Sequence, residues 1–464
     1  MNIRNTIEDN RKLFKKVLLI AIPIMIQNGF TNFVNLLDNI MVGRLGTEPM
    51  SGVAIVTQLI FIFNLCIFGG FSGAGIFTSQ YNGKNDQEGV RNTFRFKFIL
   101  GIILVLLAVL VFEIFGDRLI GFYLHESEDG GDLALTLSCA REYLNVILFS
   151  LPGFALVQCY ASTMRECGQT VVPMRAGIAA VLVNLFFNWV FIFGNLGMPE
   201  MGVRGAALAT VISRYVELSV IMVWAHRHTD KLPFASGLYR TLRVPANLIS
   251  RISSKGMILL VNELMWSLGL SLISQCYSLR GLNAVAGVNI AETLNNLFKV
   301  VFLAFGNSVG IIVGALLGAG KMEEAVETDR RIIGYSVIIS SFIGLIMFLF
   351  SGLFPQIYNT NDSARAIASS LIVLQAIFLP VEAFKNATYF TVRSGGRTFV
   401  TFLFDGFSMI AVSYPAAFIL SRFTEAPVTL IFLSVQLTGL LKCLVGYILV
   451  KKRVWVRNIV TESK

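Results

Sequence analysis

Long apolar runs separated by short charged connections set the pattern of this chain. A helix needs about 20 mostly apolar residues to cross the hydrocarbon core of a bilayer. Twelve stretches qualify, some with polar interruptions: approximately 14–42, 51–79, 96–116, 134–161, 171–194, 203–225, 253–278, 284–316, 329–353, 366–391, 399–421 and 428–450. Backbone groups in hydrocarbon must be satisfied within their own segment, so these runs are predicted to be helices. The longest charged connection, His226 to Arg251, contains Pro233 and Pro245 and falls between the sixth and seventh runs. The expected fold class is an all-α polytopic membrane protein, with twelve transmembrane helices in two pseudo-symmetric six-helix lobes. The division predicted is residues 1–225 for the first lobe, 226–252 for a cytoplasmic linker, and 253–464 for the second lobe and a cytoplasmic tail.

Two repeats support this division. Gly69, Gly73, Gly83 and Lys84 match Gly306, Gly310, Gly320 and Lys321, each at an offset of 237. Met164 to Thr170 matches Val392 to Thr398 at an offset of 228, so the first half holds about nine extra residues around its acidic outer loop (Glu126, Glu128, Asp129, Asp132). An even number of helices per half makes the repeats parallel, related by an axis along the membrane normal. The ladder Gly306, Gly310, Gly314 and Gly318 predicts a small-residue face for close helix packing.

Composition agrees. Only 14% of the 464 residues are charged and 55% are hydrophobic, against about 25% charged in soluble domains. The net charge of +10 is not a nucleic-acid signal, because membrane proteins collect Lys and Arg in cytoplasmic loops. With the N-terminus placed in the cytoplasm, 27 Lys and Arg fall on that side, 7 on the other and four within helices (Arg214, Lys299, Lys385, Lys442). Both termini are expected in the cytoplasm, in a multi-pass protein of the plasma (inner) membrane. The basic stretch Arg11 to Lys16 precedes the first run with no small-residue cleavage site, which predicts a retained helix. Six scattered Cys without a CxxC and three scattered His offer no metal-ligand cluster and no cofactor site.

Ionisable groups within such helices cost about 2.5–3.5 kcal/mol each on insertion scales, so each needs a reason. Asn28, Asn32, Asn35 and Asn39 form one face of the first run, flanked by Thr31 and Asp38. The fifth run has Asn184 and Asn188 one turn apart; the sixth has Thr210 and the pair Arg214 and Glu217. The second half is richer in charge: Glu263; then Asn289, Glu292, Asn296 and Lys299 on one face; then Glu382, Lys385 and Tyr389; then Asp405. Positions matching Glu292 and Lys299 in the first half are Ile55 and Ile62, so this charge belongs to the second half alone. Glu382 with Lys385, and Glu292 reaching Lys299 through Asn296, are either structural ion pairs or groups lining a cavity. Asp38, Glu263 and Asp405 have no local partner and are the candidates for carrying a proton or cation.

Asp38-Asn39-Ile40-Met41-Val42-Gly43-Arg44-Leu45-Gly46, Asn262 to Gly269, Gly205 to Thr210 and Arg393 to Gly396 occur in order along the chain. Together these motifs resemble the multidrug and toxic compound extrusion (MATE) family, over essentially the whole length. The resemblance implies two lobes arranged as a V around a central cavity. It also implies antiport, in which entry of H⁺ or Na⁺ drives export of organic, usually cationic, compounds. Family coupling-ion positions match Asp38, Asn184 and Thr210, where Na⁺ would bind. A family aspartate one turn after Asn184 is Asn188 here, which removes a carboxylate. Glu263 matches the glutamate of the other lobe, Asp405 falls where a related branch often has an aspartate, and Arg397 stands at a commonly acidic position.

The expected function is therefore a secondary active exporter, with Asp38, Asn184, Asn188, Thr210, Glu263, Glu292, Lys299, Glu382, Lys385 and Asp405 as coupling-ion or substrate residues. Expected partners are a small-molecule substrate and the lipid bilayer, with the monomer as the functional form and no nucleic acid. A flippase for a lipid-linked or anionic precursor is the alternative, since Lys299 and Lys385 suit an anion. No HExxH, GxSxG or P-loop pattern points to an enzyme.

Overall fold

The computed structural model describes residues 3–123 and 132–461, apart from the side chains of 3–7, 35 and 36. Glu126, Glu128 and Asp129 of the acidic loop, and the side chain of Asn35, therefore lie outside the described residues. All regular structure described is helical. Long apolar helices follow the predicted runs: α1 (Ile3–Gly43), α2 (Thr47–Gly83), α3 (Gln87–Gly121), α4 (Leu133–Ile147), α5 (Ser150–Glu166), α6 (Val171–Phe193) and α7 (Gly202–Arg227). They continue as α8 (Ala246–Ser278), α9 (Leu282–Gly318), α10 (Met322–Phe350), α11 (Asp362–Ser394), α12 (Thr398–Phe423) and α13 (Val428–Lys451).

The run expected at 134–161 is not one straight helix. It is α4 and α5, bent by 49°. Pro152 has no amide to bond the carbonyl of Leu148 and its ring crowds that turn, so the helix breaks there. Leu151 bonds Leu148 in a tighter turn instead (3.1 Å).

The chain groups into two compact units. The first holds residues 1–25, 79–86 and 252–464; the second holds 26–78 and 87–251. In the first unit, Val17, Ile20, Ala21 and Ile24 make an apolar stripe on α1 at helical spacing. They join a buried cluster with Ala304, Phe305 and Val309 of α9. Phe14 meets Tyr335 of α10 edge to face, 5.1 Å between centroids.

The repeated glycines act where the end of α2 crosses α9. A methyl group at Gly83 would run into the carbonyl of Ala315, and one at Gly318 into the carbonyl of Gln80. One at Gly314 would lie 2.9 Å from Cβ of Ser79. Lower on the ladder, Gly306 and Gly310 face Phe390 of α11. Only glycine permits backbone contact of this kind. Gly318→Ala is expected to lower the thermal midpoint in detergent, by the equivalent of about 1–3 kcal/mol for overpacking. An unchanged midpoint would show that the crossing does not bear on stability.

In the second unit, the connection after α7 docks instead of hanging free. Leu232, Phe234, Ala235 and Leu238 are buried. Arg91 of α3 donates to the carbonyls of Phe234 (3.2 Å) and Pro233 (3.2 Å), and Arg95 to those of Leu238 (3.1 Å) and Gly237 (3.4 Å). Tyr239 shares a 2.5 Å hydrogen bond with Tyr160, whose hydroxyl also meets Nε2 of His226 at 3.0 Å.

Candidate functional site

In the second unit, four of the predicted residues converge from three helices. Gly205 of α7 sits against the backbone of Phe191, where a Cβ would approach within 2.6 Å, so α6 and α7 pack closely. That approach sets Thr210 beside Asn184. Asn188 Nδ2 donates to Asp38 Oδ1 at 2.6 Å. With its amide nitrogen toward the carboxylate, Asn184 donates to both Asp38 oxygens (3.0 and 3.1 Å) and accepts from Thr210 Oγ1 (3.2 Å). Asn188 Oδ1 is buried and has no hydrogen-bond partner. Arg214 and Tyr143 lie within electrostatic reach of Asp38, and Arg214 is itself paired with Glu217 at 2.9 Å, as expected.

One carboxylate surrounded by two amides and a hydroxyl forms an all-oxygen donor set once the amides turn. Such a set suits a proton or a hard monovalent cation. The unmet Asn188 oxygen is an acceptor still available to it. Asn28, Asn32 and Asn39 lie on the α1 face that Asp38 flanks.

The first unit carries a second polar network. Glu263 of α8 accepts from the Tyr389 hydroxyl at 3.1 Å, with Arg393 and Asp405 in electrostatic reach. Asp405 sits where α12 widens into π-helical turns, Leu403–Phe407 and Met409–Ser413. Such turns are rare and frequently occur at functional sites. The adjacent Gly406 donates its amide to Asn262 Oδ1 (2.9 Å), and Asn262 Nδ2 lies 3.3 Å from Asp405 Oδ2. Lys442 of α13 completes the set, its Nζ 3.7 Å from Asp405 Oδ1 and 3.3 Å from the Asp405 carbonyl.

Two further carboxylates stand apart. Glu382 pairs with Lys385 at 2.5 Å, one turn along α11. Glu292 takes Gln375 Nε2 at 2.9 Å and Asn295 Nδ2 at 3.4 Å. Glu292 forms no direct salt bridge to Lys299 among the described residues; its contacts are Asn295 on its own helix and Gln375 across on α11.

Neither Lys442, counted only among the cations within helices, nor Gln375 was an expected site residue. Lys442 was legible as the one basic residue inside the last run, opposite in sign to the unpartnered Asp405. Gln375 gave no signal, because a neutral amide in an apolar helix resembles any packing residue.

A profile of the MatE family matches residues 23–190 and 258–419. The chain is 26% identical to a Thermotoga maritima protein named "Probable multidrug resistance protein NorM", over 90% of this chain and 88% of that one. It is 25% identical to the multidrug resistance protein MdtK of Pectobacterium atrosepticum, over 78% of each. Among solved structures, a MATE protein in a bent conformation superposes with a TM-score of 0.85 at 19% identity, covering 95% of both chains. The Vibrio cholerae transporter VcmN, crystallised as a mutant, gives 0.85 at 17% identity, over 97% of this chain and 98% of that one.

Proposed function

The chain belongs to the MatE family of multidrug efflux transporters, and on that premise we propose that it exports organic cations across the plasma membrane in exchange for an inward-moving H⁺ or Na⁺. The observation that carries this reading is the Asp38 cluster. A single carboxylate from α1 is held by amides of α6, with a hydroxyl of α7 behind them. Loading one proton or one Na⁺ neutralises it. The orphaned oxygen of Asn188 then gains a partner.

Exchange follows if the cation and the exported compound favour different states of the two units. A ligand shifts such an equilibrium only through its differential affinity for the states. Glu263 with Tyr389, and Asp405 with Lys442, serve as the counterpart network in the first unit. The excess of 27 to 7 Lys and Arg supports placing both termini in the cytoplasm. An enzymatic role has no support in the site: its acids are held by amides, hydroxyls and lysines on helices.

Of the two lysines that the anionic-precursor alternative would use, Lys385 is committed to Glu382, while Lys299 has no acid within salt-bridge distance among the described residues. Purified protein in vesicles, loaded with a fluorescent organic cation, tests the proposal. Either an imposed pH gradient or an imposed Na⁺ gradient should drive the dye across, and the one that does identifies the coupling ion. Absence of gradient-driven movement with both, in protein shown to be folded, would overturn the exporter reading.

A further inference from the structure

Beyond α13 the chain turns through Arg453, which adopts a positive φ of 54°, and runs beneath the ends of three helices. Trp455, Ile459 and Val460 are buried. The seat for Trp455 is Gly395, where any Cβ would collide with the tryptophan carbonyl. Val454 offers its carbonyl to Arg397 Nε (3.2 Å), and Arg453 pairs with Glu323 at 2.6 Å.

Gln80, on the last turn of α2, holds the centre. Its Nε2 donates to the carbonyls of Ser394 (3.0 Å) and Arg457 (3.2 Å), and its Oε1 accepts from the Ile459 amide (2.9 Å). Asn458 Nδ2 donates to the carbonyl of Gly318 at the end of α9 (3.1 Å). One short peptide thus ties together the ends of α2, α9 and α11, at the point where the glycine crossing lies.

The seat is not fully satisfied. Trp455 Nε1 is buried with no hydrogen-bond partner. An orphaned buried polar group costs about 1–3 kcal/mol. A permanent anchor has no need of such a loss, whereas a segment that leaves its seat recovers it in water. Residues 79–86 group with the first unit while 26–78, including the rest of α2, group with the second. The latched turn is therefore where one helix passes from one unit to the other.

We propose that residues 453–461 are a latch on the cytoplasmic face, closed over the α2–α9 crossing in one state of the transport cycle and withdrawn in the other. This rests on the orientation and exchange proposed above, and two measurements separate the claims. In a variant lacking the six cysteines, with Gln80→Cys and Ile459→Cys, a short reducible thiol cross-linker joins latch to helix. Transport by the cross-linked protein is expected to fall at least tenfold and to return on reduction. Undiminished transport with the bridge intact would overturn the latch.

The second measurement needs no transport. Ser79→Cys places a thiol in the crossing, where Ser79 is buried. Adding Trp455→Ala should speed its labelling by an impermeant maleimide at least tenfold from the cytoplasmic face. Unchanged labelling in folded protein would refute the latch even if export stands. Faster labelling without any export would show that the segment covers the crossing, and would sink the exporter and with it the latch's part in a transport cycle.

Discussion

Asp38→Asn should reduce gradient-driven export to the leak of protein-free vesicles while the protein is still made and inserted. The substitution keeps shape and one acceptor oxygen, so Asn188 retains its hydrogen bond; only the charge goes. Without that charge the site no longer discriminates loaded from empty, and coupling is lost. The expected fall is about 100-fold, near the upper end of what coupling free energies of 1–3 kcal/mol produce. Glu263→Gln is expected to act in the same direction, since it removes the carboxylate facing Tyr389. Rates of wild-type size from both variants, at matched amounts of reconstituted protein, would mean that neither acid carries the coupling ion.

Glu166→Ala should cause a large loss of stability. Lys97 is fully buried (0% exposed), with its Nζ 2.5 Å from Glu166 Oε2. Hydroxyls of Ser162 and Thr163 complete its shell at 3.0 and 3.1 Å. Truncating Glu166 leaves a buried cation without its counter-charge, a change that costs about 3–5 kcal/mol. The double variant Lys97→Met with Glu166→Leu removes both charges and should recover most of the loss. Thermal unfolding in detergent measures both. A single variant as stable as the parent would show that water reaches Lys97 freely.

That pair also marks a limit of reading the chain as a string. Lys97 lies at the edge of an apolar run among Arg91 and Arg95, and counts there as one more loop cation. Its partner is 69 residues away on α5, and no local spacing connects them. Arg95 is similar: sequence makes it a topology signal, whereas in the fold it clamps the connection after α7. What was legible followed from solvent. Hydrocarbon demands long apolar helices, so the spans could be placed to within a turn or so, except at the starts of α1, α3, α8 and α10 and at the bend before Pro152. Polar residues resist burial, so Asp38, Asn184, Asn188, Glu263 and Asp405 stood out. Glycines at strict spacing announced a close approach without naming its partner, the other copy of the repeat. The partners of Asp405 and Glu292 come from tertiary placement and left no trace in spacing.

The amide at Asn188 has an electrical consequence. With Asp38 the only acid in its cluster among the described residues, the exchange proposed at this site takes up a single positive charge. Exchange there of one cation for one monovalent organic cation moves no net charge across the bilayer. A membrane potential is worth about 2.3 kcal/mol per elementary charge per 100 mV, and it would do no work on such a cycle. The concentration ratio of the exported compound is then set by the ion's chemical gradient alone, about tenfold per tenfold ion gradient. For exchange through the Asp38 site alone, a second carboxylate at this position would make voltage part of the driving force, and an asparagine keeps it out.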